Sequence, residues 1–456
     1  VVTYQDYLEA ADVAEFVGRA IGRHMAGAEY RTAVDADLYD RQRNVTINSY
    51  TRLIQDRVKA PAADITAANN RIASNFFHRL NLQRCSYLLG NGVSFTRKEK
   101  RVNRDGVEVV VDLTRERLGS RFDIDLNEWG YKALIHGVAF GFWNLDRLYV
   151  FPITEFVPLW DEETGALRAG IRFWRLQPDK PMSAVLYTEA GYTAFKTPRG
   201  AGGLRLEQVG QPEPYIVNLR RSRADGEAVV GSDGYGALPI VPLWGSKLRQ
   251  STLVGMREKI DSYDLIQSGF ANDLNDCAQI YWLIENCGGM TGEDLQEFLD
   301  NIRYKHIAKV DTASFGGDGR SALSPYVQDV PYQGRQAYLD GMRASIYEDF
   351  GALDVHAIGA SSTNDHIDAA YQPLDEEADQ FELQVIDAVQ QVLGLMGIED
   401  TPIFKRNRVA NLKEAVEAVM LEAKYLDTET ALDLLPNITV DMKAGILRRM
   451  AQAEAR

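Results

Sequence analysis

Between Ala344 and Phe404 the chain has no lysine and no arginine, although the 456-residue sequence carries 50 of them. Glu348, Asp349, Asp354, Asp365, Asp368, Asp375, Glu376, Glu377, Asp379, Glu382, Asp387, Glu399 and Asp400 all stand in that span, and they supply most of the formal net charge of −15. Like charges on neighbouring helical turns repel by a few tenths of a kcal/mol, roughly, per pair. The block therefore reads either as a solvated face or as a surface that repels something anionic. The opposite bias lies between Arg41 and Arg121, a stretch rich in arginine and lysine, so an anionic partner meets two different surfaces.

Other absences exclude whole classes of function. The three cysteines, Cys85, Cys277 and Cys287, lack any Cys-x-x-Cys spacing, which excludes a disulfide framework or a zinc site and fits a reducing compartment; they read as small buried hydrophobes. No run approaches the ~18 apolar residues of a membrane span, and Val1 to Ala11 lacks the basic-then-apolar order of a secretory signal, so synthesis in the cytosol with no membrane partner is expected. There is no Gly-x-x-x-x-Gly-Lys-Ser/Thr phosphate loop, no His-Glu-x-x-His and no Gly-x-Ser-x-Gly. The six histidines are scattered without metal-ligand spacing. Asp261, Asp264, Asp273 and Asp276 fall on one helix at steps that would gather carboxylates around Mg²⁺, as in a phosphodiesterase or nuclease; a helix with solvated acids is the commoner meaning of that pattern.

What is present is an ordinary folded composition, 45% hydrophobic and 25% charged. An amphipathic helix is expected over Tyr4 to Met25, and another over Thr66 to Leu89 with the stripe Ile72, Phe76, Leu80 and Tyr87, ended by Gly90 in a left-handed cap. Val93 to Leu113 alternates around Asn103-Arg104-Asp105-Gly106 as a hairpin does, and its Arg97, Lys98, Lys100, Arg101 and Arg104 suit DNA, an acidic neighbour or plain solvation. Short β-type runs follow at Phe140 to Trp143, Arg147 to Pro152, Phe156 to Trp160, Leu167 to Leu176, Ala184 to Thr188 and Tyr192 to Lys196, an antiparallel meander.

A long helix from Leu253 to Cys277, about 37 Å at 1.5 Å per residue, precedes a compact α/β unit. That unit has strands at Gln279 to Glu285, His306 to Val310 and Tyr326 to Val330, a helix from Thr291 and a Gly-rich loop at Gly316 to Gly319. A second long helix runs from Gln333 to Leu353. The loop His356 to Asn364 then leads to an acidic helix started by Pro373, with Leu374, Ala378, Phe381, Val385, Val389, Val392 and Met396 on its apolar side. Leu412 to Arg456 reads as short helices broken at Pro436. The fold class is α+β.

Specific strings sit on this frame: Asn69-Asn70-Arg71-Ile72, then Tyr87-Leu88-Leu89-Gly90, then Lys259-Ile260-Asp261-Ser262-Tyr263-Asp264-Leu265 with Ser268 and Asn272, then Ser361-Ser362-Thr363-Asn364 ahead of Tyr371 and Leu374-Asp375. Together they resemble the portal proteins of tailed bacteriophages, of the long-tailed siphophage type. The resemblance implies a non-enzymatic ring, usually of twelve subunits, at one vertex of the capsid in the virion, assembled in the host cytoplasm. Double-stranded DNA enters and leaves through it, and no cofactor is involved. It also implies a packaging ATPase (the large terminase), a head-completion adaptor, and the major capsid and scaffolding proteins as partners.

On that scheme residues 1–252 form a wing, 253–277 and 332–354 are stem helices, 278–331 is a clip, 355–365 a tunnel loop, 366–411 the long helix and further wing, and 412–456 a crown. The implied tunnel-loop residues are His356, Ser361, Ser362, Thr363 and Asn364. Channel-lining positions fall at Asp365, Asp368, Asp375, Asp379 and Glu382, where carboxylates would keep duplex DNA centred without the salt-sensitive contacts that lysine and arginine make. Ile280, Tyr281, Trp282 and Phe298 belong to an insert too small to bury them well and are candidates for a clip interface, or for the insert's own core. The alternatives to the portal reading are the Mg²⁺-dependent phosphodiesterase or nuclease and a capsid or tail-tube structural protein.

Overall fold

The apolar stripe of the acidic helix is the spine of the largest core. In the computed structural model the described residues are 2–51, 53–54, 62–63, 68–102, 108–177, 179–198, 204–222, 226–276, 281–284, 323–326, 332–355, 364–407 and 419–424, with 293, 432 and 446 singly. Phe381, Val385, Ala388, Val389, Val392 and Leu393 are buried there against Leu88, Leu89, Trp129, Leu134, Trp143 and Leu243. Full burial of each large side chain contributes on the order of 1.5–3 kcal/mol. The helix differs from expectation at its start, since it runs unbroken over Asn364–Leu395 with Pro373 inside it. Proline there removes one N–H from the ladder, yet Tyr371 and Leu374 on either side are both buried and hold the helix through the gap.

The meander is a five-stranded antiparallel sheet in the order Glu207–Glu213, Tyr192–Lys196, Ser183–Tyr187, Leu167–Trp174 and Phe156–Trp160. Phe16, Val17, Ala20 and Ile21 of helix Val13–Met25 pack on it through Leu159, Ile171, Phe173, Ala184 and Phe195. The single helix expected over Tyr4 to Met25 is two, Tyr4–Leu8 and Val13–Met25, because Asp12 accepts from the Ala14 and Glu15 N–H groups and caps a fresh start. A smaller sheet, Ile240–Trp244, Val138–Asn144 and Arg147–Pro152, shares its aromatic face with the first through Phe140, Phe151 and Phe156.

Helix Phe76–Leu89 is shorter than the span from Thr66, and residues 68–75 are not helical. Gly90 keeps a right-handed φ of −65°, and Gly92, φ +74°, makes the left-handed turn instead. The first long helix is Arg257–Asp276, about 30 Å, and the second is Tyr332–Phe350, closed by Gly351 at φ +65°. They run antiparallel, bridged by Lys259 with Asp349 and by Arg335 with Asp273.

Between them, strand Tyr281–Ile284 pairs with Leu323–Tyr326, so the last expected strand begins earlier than Tyr326. The expected strand His306 to Val310, the loop Gly316 to Gly319 and the body of the helix from Thr291 lie outside the described residues. Strand Val93–Phe95 leaves the expected hairpin to pair with Pro402–Phe404. The hairpin itself is the two-stranded ribbon Lys98–Val102 with Glu108–Asp112.

Candidate functional site

Helix Phe76–Leu89 reaches both sides of residues 356–363. On the near side, the Gln83 amide holds Leu353 by two hydrogen bonds, donating to its carbonyl and accepting from its N–H, each 3.0 Å. Arg84, 5% exposed, donates to the Phe350 carbonyl and stacks over the Phe350 ring at 4.3 Å. On the far side, the same guanidinium lies 3.1 Å from Glu377. Burial lowers the Arg84 pKa, and Glu377 offsets only part of that shift. One turn on, Tyr87 stacks on Tyr371 and donates to Asp375 at 2.5 Å. Position 84 lies four residues after Leu80 and seven after Phe77, on the apolar side of its helix, and a lone arginine there was the readable sign of a buried charge.

The acidic helix is less uniformly uncompensated than its sequence. Arg406 lies against Asp379 and Glu382 and over the Tyr87 ring. Burial lifts the Glu382 carboxyl above its ordinary range, with Arg406 pulling the other way. Of the five channel-lining candidates, Asp368 is exposed, Asp375 is bound to Tyr87, and Asp379 and Glu382 share Arg406. The Asp365 side chain lies outside the described residues. So do tunnel-loop residues His356, Ser361, Ser362 and Thr363, while Asn364 is the first residue of the helix rather than the last of a loop. Tyr281 and Trp282 pair with Tyr326 and Pro325 across their two strands; Ile280 and Phe298 are outside the described residues.

The carboxylates that suggested a Mg²⁺ site do something else. Asp264, fully buried, accepts from the Asn44 amide and from the Ser74 N–H. Burial raises its pKa, and these hydrogen bonds work against that rise. Asp261 accepts from the hydroxyls of Tyr39 and Thr46, with burial and the carboxylate together pushing the Tyr39 phenol up. Asp273 pairs with Arg335 on the other long helix. These three point to three different sets of donors and share no common centre, so they do not build the phosphodiesterase site; the side chain of Asp276 is outside the described residues.

Beside Asp264, Ser268 and Asn272 complete a polar row that takes the N–H groups of Ile72 at 2.9 Å and Asn70 at 2.6 Å. Steps of four along a helix advance about 6 Å, close to the roughly 6.8 Å of two residues in an extended chain. That match lets residues 70, 72 and 74 lie along 272, 268 and 264 in antiparallel register. Cys85 is buried, as its sequence context suggested, and burial pushes its thiol up to about 12.

Residues 34–455 match the family described as phage portal protein, SPP1 Gp6-like. The portal protein of Bacillus phage SPP1 is 23% identical over 415 residues, covering 85% of this chain and 77% of that protein. The portal protein of Clostridium phage phiCD119 is 26% identical over 343 residues, 70% of each. Among solved structures, a chain from the virion of a native gene transfer agent particle aligns with a TM-score of 0.39 at 11% identity, over 79% of this chain and 89% of that one.

Proposed function

The chain belongs to the SPP1 Gp6-like family of phage portal proteins, and from that membership we propose that its copies close into a ring at one capsid vertex, with an open axis through which double-stranded DNA is packaged and ejected. It is a structural component of a phage virion and not an enzyme. The family match over residues 34–455 carries this reading. Twelve copies, a packaging ATPase that supplies the work, and a head-completion adaptor on the tail side complete it. Capsid and scaffolding proteins would surround the wing.

Several features support a division of labour within the subunit. Two antiparallel helices, Arg257–Asp276 and Tyr332–Phe350, tied near both ends by ion pairs, suit a stem that carries a separate clip, residues 278–331. Residues 356–363 come between the second stem helix and the acidic helix, and Arg84, Gln83 and Tyr87 fix the chain before and after them. A segment whose two flanks are held in this way suits a tunnel element facing DNA. Asp365 and Asp368, at the start of the acidic helix, would be the carboxylates nearest that element. Duplex DNA carries one phosphate per ~1.7 Å of axis, and each cationic contact would add an attachment to be broken at every step. Carboxylates offer none, and their repulsion reaches roughly a Debye length, ~8 Å at physiological salt.

Negative-stain images of the purified protein test the reading. Rings with a central hole are expected. Compact monomers, or sheets and tubes as a capsid or tail-tube protein would form, would overturn it. In rings, Asp365→Lys with Asp368→Lys should slow packaging while leaving the assembly intact.

A further inference from the structure

Among the described residues the ribbon Lys98–Val102 with Glu108–Asp112 has no third strand, and all five residues from 98 to 102 are exposed. Two-stranded ribbons are marginally stable alone in water, so this one needs either an anchor or a cover. The anchor is at its base: Asp400 accepts from the Thr96 N–H and hydroxyl and from the Thr114 hydroxyl. Along the strand, side chains alternate between faces. Arg101 turns to Glu99 and Glu116, each at 3.0 Å, and is neutralised on its own side. The other face presents Lys98, Lys100 and Val102, at steps of about 6.8 Å. Val102 is 67% exposed, and neither lysine has an ion pair among the described residues.

The acidic helix carries the mirror pattern. Opposite its buried stripe, Glu376, Asp379, Leu383 and Asp387 line one exposed face at helical steps of about 4.5, 6 and 6 Å, with Asp379 already paired to Arg406. Leu383 is 59% exposed and stands between the acids. One surface is an aliphatic side chain beside two lysines; the other is an aliphatic side chain among carboxylates. A closed ring of identical subunits needs such a pair, because each copy must offer its neighbour a surface different from the one it receives.

We infer that the Lys98–Lys100–Val102 face of one copy docks on the Glu376–Leu383–Asp387 face of the next. This assignment rests on the ring reading. Duplex DNA suits the ribbon less well, since Arg101 is already neutralised and a phosphate backbone has no use for Val102. The helix, about 48 Å long, is long enough to meet DNA near Asp365 and Asp368 and a neighbour beyond Glu376.

Mass photometry across a concentration series on full-length chains tests this. Lys98→Glu with Lys100→Glu should raise the concentration needed for ring formation by about tenfold or more. Glu376→Lys with Asp387→Lys should do the same, and the two pairs combined should restore assembly. Recovery in the combined variant also shows that the single pairs fold. If the wild type forms no ring, both the ring reading and this assignment fall. If it does and the reversed ribbon assembles at the same concentration, only this assignment falls. Intact rings that lose retention of linear duplex DNA would overturn it in favour of a nucleic-acid contact.

Discussion

Asn272 accepts a hydrogen bond at 2.6 Å from the backbone N–H of Asn70, 202 residues away in sequence. With Ser268 to Ile72 and Asp264 to Ser74 it forms a row that fastens an extended segment along a helix, one bond for each helical turn or so. The polar side chains supply the acceptors that a neighbouring strand would otherwise give.

Removing that row should loosen the segment stepwise. Ser268→Ala with Asn272→Ala is expected to cost about 1 kcal/mol per lost acceptor, and Asp264→Ala about 2–3 kcal/mol because the buried Asn44 amide also loses one of its two acceptors. Urea unfolding measures both. Equal stabilities for Asp264→Ala and the wild type would show that the row holds nothing.

Arg84→Ala should destabilise by roughly 3 kcal/mol, since it removes the stacking on Phe350, the bond to the Phe350 carbonyl and the partner of Glu377 together. Arg84→Lys should recover little, because an ammonium neither stacks on the ring nor reaches two acceptors as a planar fork does. Thermal unfolding of the two variants separates charge from shape.

Gly351→Ala faces two obstacles. The backbone is at φ +65°, and an added Cβ would meet the Glu377 Cγ at 2.7 Å. A loss of about 1–2 kcal/mol is expected from the left-handed conformation alone, with Glu377 also moved off Arg84. The measurement is chemical denaturation of the variant alone and combined with Glu377→Ala, which should relieve part of the cost.

Asp400 gives a pH dependence of known sign. Its slight burial works upward, but the Thr114 and Thr96 hydroxyls and the Thr401 and Thr96 N–H groups outweigh it, bringing the pKa from 3.8 to about 2. A carboxyl held low in the folded state stabilises above its ordinary pKa and loses that contribution as pH falls through the folded value. Stability should therefore decline between about pH 4 and pH 2, and Asp400→Asn should flatten that decline. An unchanged slope in the variant would assign the acid sensitivity elsewhere.

Much of this architecture is legible in the sequence wherever one face is dry. The stripe Leu374, Ala378, Phe381, Val385, Val389 and Val392 is buried as its spacing indicated, and the strands Arg147–Pro152, Phe156–Trp160 and Tyr192–Lys196 stand where alternation put them. The errors come from tertiary partners that local pattern does not contain. Ile72 has the right spacing to extend the Phe76 helix, yet its N–H is taken by Ser268. Pro373 looks like a start and is carried inside a helix by the burial of its neighbours. Strands Glu207–Glu213 and Ile216–Ser222 are too polar to announce themselves. Among the site residues, Arg406 was hidden because it lies beyond the acidic block whose charge it offsets.

The bridge between Asp273 and Arg335 sets the end of the first long helix beside the start of the second, so the chain leaves and returns at two adjacent points. A segment whose exit and return coincide can be exchanged between relatives without re-routing the rest of the polypeptide. Insertions and substitutions between those points can thus accumulate while the scaffold beneath them stays under separate selection, and a chimaera cut at those two residues should keep the paired helices of the host.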